Sequence, residues 1–202
     1  ERNGGSYIPR SHISEIRPLA VGGFEIFSGD RLVTGCEKLV IAAGHGGADL
    51  GRQLGMDIPI HPVQGQVVVT ERSPAHLAYP TNYVRKTDEG YFMLGPSARD
   101  TGFDLETETT TLRDIVRQCS KAFPYLRELR IQRSWAALRI MTPDGFPVYA
   151  QSRDFPGAFS FSCHSGVTLA ALHAREVPQW VLAGEIPSAH RCFGLERFDV
   201  SA

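Results

Sequence analysis

Four short stretches of this chain carry residue types that could do chemistry. The first is R-S-W-A-A-L-R-I-M-T-P-D-G-F, starting at Arg133. Arg139 follows Trp135, Ala136, Ala137 and Leu138, precedes Ile140 and Met141, and is soon followed by the turn residues Pro143-Asp144-Gly145. A strand that apolar belongs in a wall, and a charge in an apolar wall costs several kcal/mol unless it is paired. Two partners are open: an internal acid such as Asp144 or Asp100, or an anion brought by a ligand. The planar guanidinium fork matches a carboxylate through two parallel hydrogen bonds. Asp144 itself reads as a turn former, not a base.

The second stretch is C-H-S-G-V-T-L-A, Cys163 to Ala170, where a strand ends and a helix begins. Such a junction aims free N–H groups and the positive helix end outward. An ordinary cap by Ser165 or Thr168 explains the same residues. His164 reads as a hydrogen-bonded turn histidine. The third stretch is P-V-Q-G-Q, Pro62 to Gln66, where Gly65 lets another group approach the strand closely. The fourth is V-I-A-A-G-H-G, whose small Ala42, Ala43 and Gly44 end an apolar strand and equally suit close packing. No C-x-x-C or Cys/His cluster appears, so no metal site is expected. No residue is singled out as a catalytic acid, base or nucleophile.

The chain has 202 residues, enough for one large or two small domains, with 42% hydrophobic and 21% charged residues and a net charge of −1. With no basic block, nucleic acid or an anionic membrane is not expected as the main partner. No apolar run approaches the roughly 20 residues needed to span a bilayer. Four widely spaced cysteines read as reduced, mostly buried thiols, which suits a cytoplasmic location.

The elements that must position these residues follow from periodicity and punctuation. Residues 22–44 read as three short strands, the last (Leu39 to Ala43) apolar throughout, as a strand covered on both faces would be. A short helix follows to Leu54. Val67 to Thr70 form a β-branched strand, and residues 83–97 a hairpin with Asp88-Glu89-Gly90 at its tip. Leu112, Ile115, Val116, Cys119 and Phe123 mark a helix within 106–123. Strands are expected over 130–140, 146–150 and 158–163, and a final helix over 167–183, broken at Pro178. Many strands with two long helices predict a mixed α/β fold, not a βαβ series.

Five stretches, L-V-I-A-A-G-H-G-G-A-D-L, I-H-P-V-Q-G-Q-V-V-V-T-E, T-D-E-G-Y-F-M-L-G-P-S, R-S-W-A-A-L-R-I-M-T-P-D-G-F-P-V-Y and F-S-C-H-S-G-V-T-L-A-A-L, occur here in one order. Together they resemble the C-terminal half of the FAD-dependent D-amino-acid oxidase superfamily, in its glycine oxidase, sarcosine oxidase and amino-acid dehydrogenase branch. The resemblance runs from about residue 20 to the end. It leaves out the βαβ unit with G-x-G-x-x-G that binds the ADP part of FAD; Gly44 to Asp49 does not supply it, since Asp49 replaces the third glycine. A truncated family member is therefore expected, one that holds FAD weakly or not at all on its own.

The resemblance implies a fold class: a largely antiparallel substrate-domain sheet with a covering helix (61–150), plus a partial FAD-binding domain (1–60 and 151–202). It implies oxidation of the C–N bond of a small amino acid or secondary amine, with hydride transfer to flavin N5. Arg139 stands where the family's W-x-G-x-R-P arginine holds the substrate carboxylate, although Ala137 and Ile140 replace the usual glycine and proline. Tyr83 is implied as its helper, with Tyr79 nearby. Ala43, Gly44, Gly65, His164, Ser165, Gly166, Val167 and Thr168 are implied cofactor contacts. Gln64 stands where relatives carry Arg or Lys. A partner subunit or electron acceptor is open. A non-catalytic domain that binds a carboxylate or a subunit, without flavin, is the alternative.

Overall fold

A computed structural model describes residues 4–199. The chain forms two compact units, one of Glu1–Ile60 with Thr142–Ala202 and one of His61–Met141. The second boundary falls at Met141, nine residues before the expected 150, because the strand after the Pro-Asp-Gly turn pairs within the first unit.

In that first unit, β1 (Glu15–Pro18), β2 (Phe24–Ser28) and β3 (Arg31–Cys36) form an antiparallel sheet. A second sheet has the order β4 (Leu39–Ile41), β10 (Ala158–Ser162), β9 (Val148–Gln151). β4 runs parallel to β10, and β9 antiparallel to it. A six-residue helix α1 (Gly47–Arg52) follows β4, and α3 (Ala170–Ala183) follows β10. Ile16, Phe24, Leu39, Ile41, Leu54 and Val148 belong to one apolar core. Complete coverage of β4 is corrected: Leu39 and Ile41 are buried but Val40, on the opposite side of the pleat, is 40% exposed.

The unit His61–Met141 is a four-stranded antiparallel sheet, β6 (Val84–Lys86), β7 (Tyr91–Leu94), β5 (His61–Arg72), β8 (Ile131–Met141), with α2 (Thr109–Ala122) on one face. The mixed, largely antiparallel fold with a covering helix is the one expected. Alternation along β5 decides which face α2 covers. Val68 is fully buried with Phe92, Leu94, Ile115 and Cys119 in one cluster. Each such apolar side chain stabilises the fold by about 1.5–3 kcal/mol. The odd-numbered positions of β5 and β8, Arg139 among them, lie on the other face.

β5 begins six residues earlier than the β-branched run suggested, and it passes through Pro62. α3 begins at Ala170, later than expected, and continues through Pro178 without a break. Pro178 and Ala174, whose carbonyl loses its helical donor, are both exposed, so that carbonyl is not left buried without a partner.

Candidate functional site

Arg139 pairs in register with Val63, and Gly65 with Ala137. The Arg139 side chain leaves β8 and lies over Gly65 of β5. There Nη1 donates a 2.8 Å hydrogen bond to the carbonyl of Ser97, on the far side of β5. Ser97 is itself fixed: its Oγ accepts the N–H of Gln66 at 2.8 Å, and Gln64 exchanges two backbone hydrogen bonds with Arg99. A methyl group at position 65 would sit 2.5–2.6 Å from Nη2, Cζ and Nη1 of Arg139. Gly65 is therefore what lets the guanidinium lie flat against the sheet. The close approach expected at this glycine is made by a side chain of the same sheet.

Arg139 is half-buried and has no carboxylate within ion-pair distance among the described residues. Neither internal acid takes it. Asp100 is exposed and forms no ion pair among the described residues. Asp144 is bound by Arg197 at 2.7 Å, which with the Phe146 N–H holds its carboxyl down to about 2. Asp144 also accepts the Thr142 hydroxyl, so it is a turn former with an ion pair. Arg139 is left with one neutral acceptor, and its other donors meet no acceptor among the described residues.

Tyr83 does not join it. Tyr83 lines a cleft of about 820 Å³ with Asp114, Arg117, Gln118 and Lys121 of α2, the helix on the other face. No hydrogen bond links its hydroxyl to Arg139. The reason is local: Tyr83 lies in a turn where Thr81 and Val84 bond each other, ahead of β6, so strand alternation does not set its direction. Tyr79 is 81% exposed.

The other expected cofactor contacts lie in the first unit, and there the structure brings them together. β4 and β10 are parallel neighbours, with Ile41 beside Ser160. Ala43 and Gly44 therefore leave the same sheet end as Cys163 and His164, the edge at which ligands bind in parallel sheets. Gly44 has φ +59, and Ala43 is exposed. Ser165, Gly166, Val167 and Thr168 form an exposed turn ahead of α3, with Val167 95% exposed. Their N–H groups donate to no protein acceptor among the described residues. Neither Ser165 nor Thr168 caps α3, whose N-cap is Leu169 with no side-chain bond. His164 Nδ1 meets Ser165 Oγ at 3.2 Å. This row of open amides beside small residues fits the carbonyl edge of a flavin. α3 is tied down beneath by Tyr149, whose hydroxyl meets His173 Nε2 at 3.0 Å. Burial raises the Tyr149 hydroxyl and lowers His173.

Two residues with a structural part went unread. Gln64 and Gln66 are fully buried on the α2 face. Gln64 Nε2 donates to the carbonyls of Asp104 and Glu106 at 2.9 and 3.1 Å. Gln66 donates to Gln64 Oε1 at 2.9 Å and accepts the Glu108 N–H at 3.1 Å. Gln64 thus faces away from Arg139 and secures the loop that leads into α2. The signal was its even-numbered place beside Val68.

The comparisons agree on one family. The model of the FAD dependent oxidoreductase family, DAO, matches residues 1–180. The chain is 34% identical over 198 residues to an opine oxidase subunit of Agrobacterium tumefaciens, covering 98% of this chain and 53% of that protein. It is 31% identical over 144 residues to the hydrogen cyanide synthase subunit HcnC of Pseudomonas protegens, covering 68% of this chain and 34% of that protein. The fold matches the crystal structure of glycine oxidase from Geobacillus kaustophilus with a TM-score of 0.81 and 22% identity, over 91% of this chain and 51% of that one. The chain thus spans about half the length of the opine oxidase subunit and of glycine oxidase. It belongs to the DAO family of FAD-dependent oxidoreductases.

Proposed function

We propose that this chain supplies the substrate-carboxylate site of an FAD-dependent oxidation of the C–N bond of a small amino acid or secondary amine. One observation carries the reading: a half-buried guanidinium, fixed by Gly65 and Ser97, has no acid among the described residues to neutralise it. Its remaining donors lie on the face of the sheet opposite α2, and their planar fork suits a bidentate bond to a carboxylate. The carboxylate fixes the α-carbon in place and supplies orientation, which is most of what a protein must add when a cofactor does the redox chemistry. A bound flavin supplies the two-electron acceptor. The open N–H groups of Ser165 to Thr168 are the residues that would hold its carbonyl edge and favour the negative charge of its reduced form. No side chain need act as acid or base if the amine enters neutral.

The 34% identity to a protein named as an opine oxidase subunit supports a secondary amine as substrate and a second subunit as partner. The experiment is anaerobic titration of the protein saturated with added FAD, its binding first checked by the change in flavin fluorescence, with glycine, sarcosine and N-carboxyalkyl amino acids, following loss of the flavin absorbance. The reading expects bleaching by at least one of these amines and its loss in Arg139→Met. Carboxylate binding with no bleaching by any amine favours the non-catalytic domain.

A further inference from the structure

Three consecutive residues of β5, Gln64, Gly65 and Gln66, serve both faces of the sheet. On the face opposite α2, Gly65 is the floor on which the Arg139 guanidinium lies. On the α2 face, the side chains of Gln64 and Gln66 are fully buried and hold the end of the loop 97–108. That one loop joins the two faces. Its first residue, Ser97, carries the carbonyl that accepts Arg139 Nη1 at 2.8 Å. Its last residue, Glu108, gives its N–H to Gln66 Oε1 at 3.1 Å.

The start of the loop is not a regular strand. It meets β5 through a single bridge, in which Gln64 and Arg99 exchange backbone bonds of 2.9 and 3.0 Å, and through the Ser97 hydroxyl on the Gln66 N–H. The return of the loop is held by the two glutamines. Gln64 Nε2 donates to the carbonyls of Asp104 and Glu106, and Gln66 Nε2 braces Gln64 Oε1 at 2.9 Å. Arg99 then closes the loop on itself, its Nη1 2.7 Å from Glu108 Oε2. Both oxygens and both amide nitrogens of the glutamine pair are engaged. A buried amide costs its desolvation unless its polar atoms are used so. Apolar side chains pack on the same face without that cost, as Val68 does two positions on. The glutamines therefore answer a demand for a fixed loop, and Arg139, which crosses β5 to reach Ser97, is the group whose position depends on it.

We propose that Gln64 and Gln66 are positioning residues for the carboxylate site: by holding the loop 97–108 from the α2 face, they keep the Ser97 carbonyl where it aligns the Arg139 fork. The inference rests on the reading of Arg139 as the carboxylate site. A fork aligned before the ligand arrives binds more tightly, because its rotamers are already restricted. The coupling runs both ways, so a carboxylate on Arg139 must in turn steady the loop.

The test is NMR titration of the chain with methoxyacetate, a small carboxylate with no amine to oxidise, across the pH range in which a buried carboxyl titrates. Gln64→Glu keeps the size of the side chain and the acceptor for Gln66. When ionised, however, it faces the carbonyls of Asp104 and Glu106 with no proton to give. Burial raises the pKa of such a carboxyl, in known cases as far as about 8–9, and protonation returns one donor. The variant should bind methoxyacetate about tenfold more weakly than the wild type where that carboxyl is ionised, and recover as pH falls. Asp104, Glu106 and the Arg99–Glu108 pair surround the contact in both proteins, so a difference between the two pH profiles belongs to position 64. A second measurement needs no variant: saturating methoxyacetate should slow hydrogen exchange several-fold at the Gln64, Gln66 and Arg99 N–H groups of the wild type. Equal pH profiles, or exchange that methoxyacetate leaves unchanged, overturns the positioning role and leaves the Arg139 site intact. A wild type that does not bind methoxyacetate, or an Arg139→Met protein that binds it as the wild type does, overturns the site and the inference with it.

Discussion

Arg139 and Arg197 are both largely withdrawn from water, and they use their donors differently. Arg197, in the first unit, has a side chain 17% exposed. It donates to Asp144 at 2.7 Å through Nε and to the carbonyls of Phe193, Gly194 and Pro147 at 2.6, 2.9 and 2.9 Å. It pins the C-terminal segment to the Pro-Asp-Gly turn. Arg139, in the other unit, has one carbonyl and, among the described residues, no acid. A guanidinium whose fork is filled from within holds the fold together. One that is positioned but left open is arranged for an anion from outside.

That contrast can be broken in several ways. Removing Arg197 leaves several part-buried carbonyls without their donor and takes the partner from a solvated carboxylate, so Arg197→Ala should lower unfolding stability by about 2 kcal/mol, read as a fall in the denaturant midpoint at constant slope. Arg139→Met forfeits one hydrogen bond to a neutral acceptor, so its stability should shift by about 1 kcal/mol or less. It should, however, weaken carboxylate binding about 100-fold, the worth of a charged bidentate contact. Similar unfolding losses in the two variants would erase the distinction.

Gly65→Ala sharpens it further. The atoms a methyl would meet are the far end of Arg139, not backbone. The side chain can swing aside at little cost to the fold, but the fork is then misplaced. Carboxylate affinity should drop about tenfold, with the unfolding midpoint nearly unchanged. The smallest effect is with pH. Asp144 is held down to about 2 in the fold, chiefly by its hydrogen bond with Arg197, against an ordinary value of 3.8. Its stabilisation is fully present above pH 4 and is lost as pH falls toward 2. Arg197→Ala should flatten that part of the acid stability profile, while Arg139→Met should leave its shape alone.

The sequence made one of these arginines legible and hid the other. Arg139 stood out because its neighbours along β8 are apolar, and a charge among them demands a reason. Arg197 lies in a polar tail, and its partner Asp144 is 53 residues away, so nothing local marked it. Gln64 and Gln66 were hidden for the same reason, since their acceptor and donor partners lie about 40 residues on. The sheet end of β4 and β10 was readable only through family resemblance, because small residues at a strand end also suit plain packing. Tyr83 was named through the same resemblance, with no local pattern to direct it, and the turn it lies in sets it against α2.

The central claim concerns where a ligand acid goes, and a crystal structure of the flavin-loaded protein with methoxyacetate asks it directly. The account predicts the carboxylate on the open edge of Arg139, its oxygens about 2.7–2.9 Å from the guanidinium nitrogens, with the bond to Ser97 kept. A carboxylate bound elsewhere, with Arg139 still holding only Ser97, contradicts it.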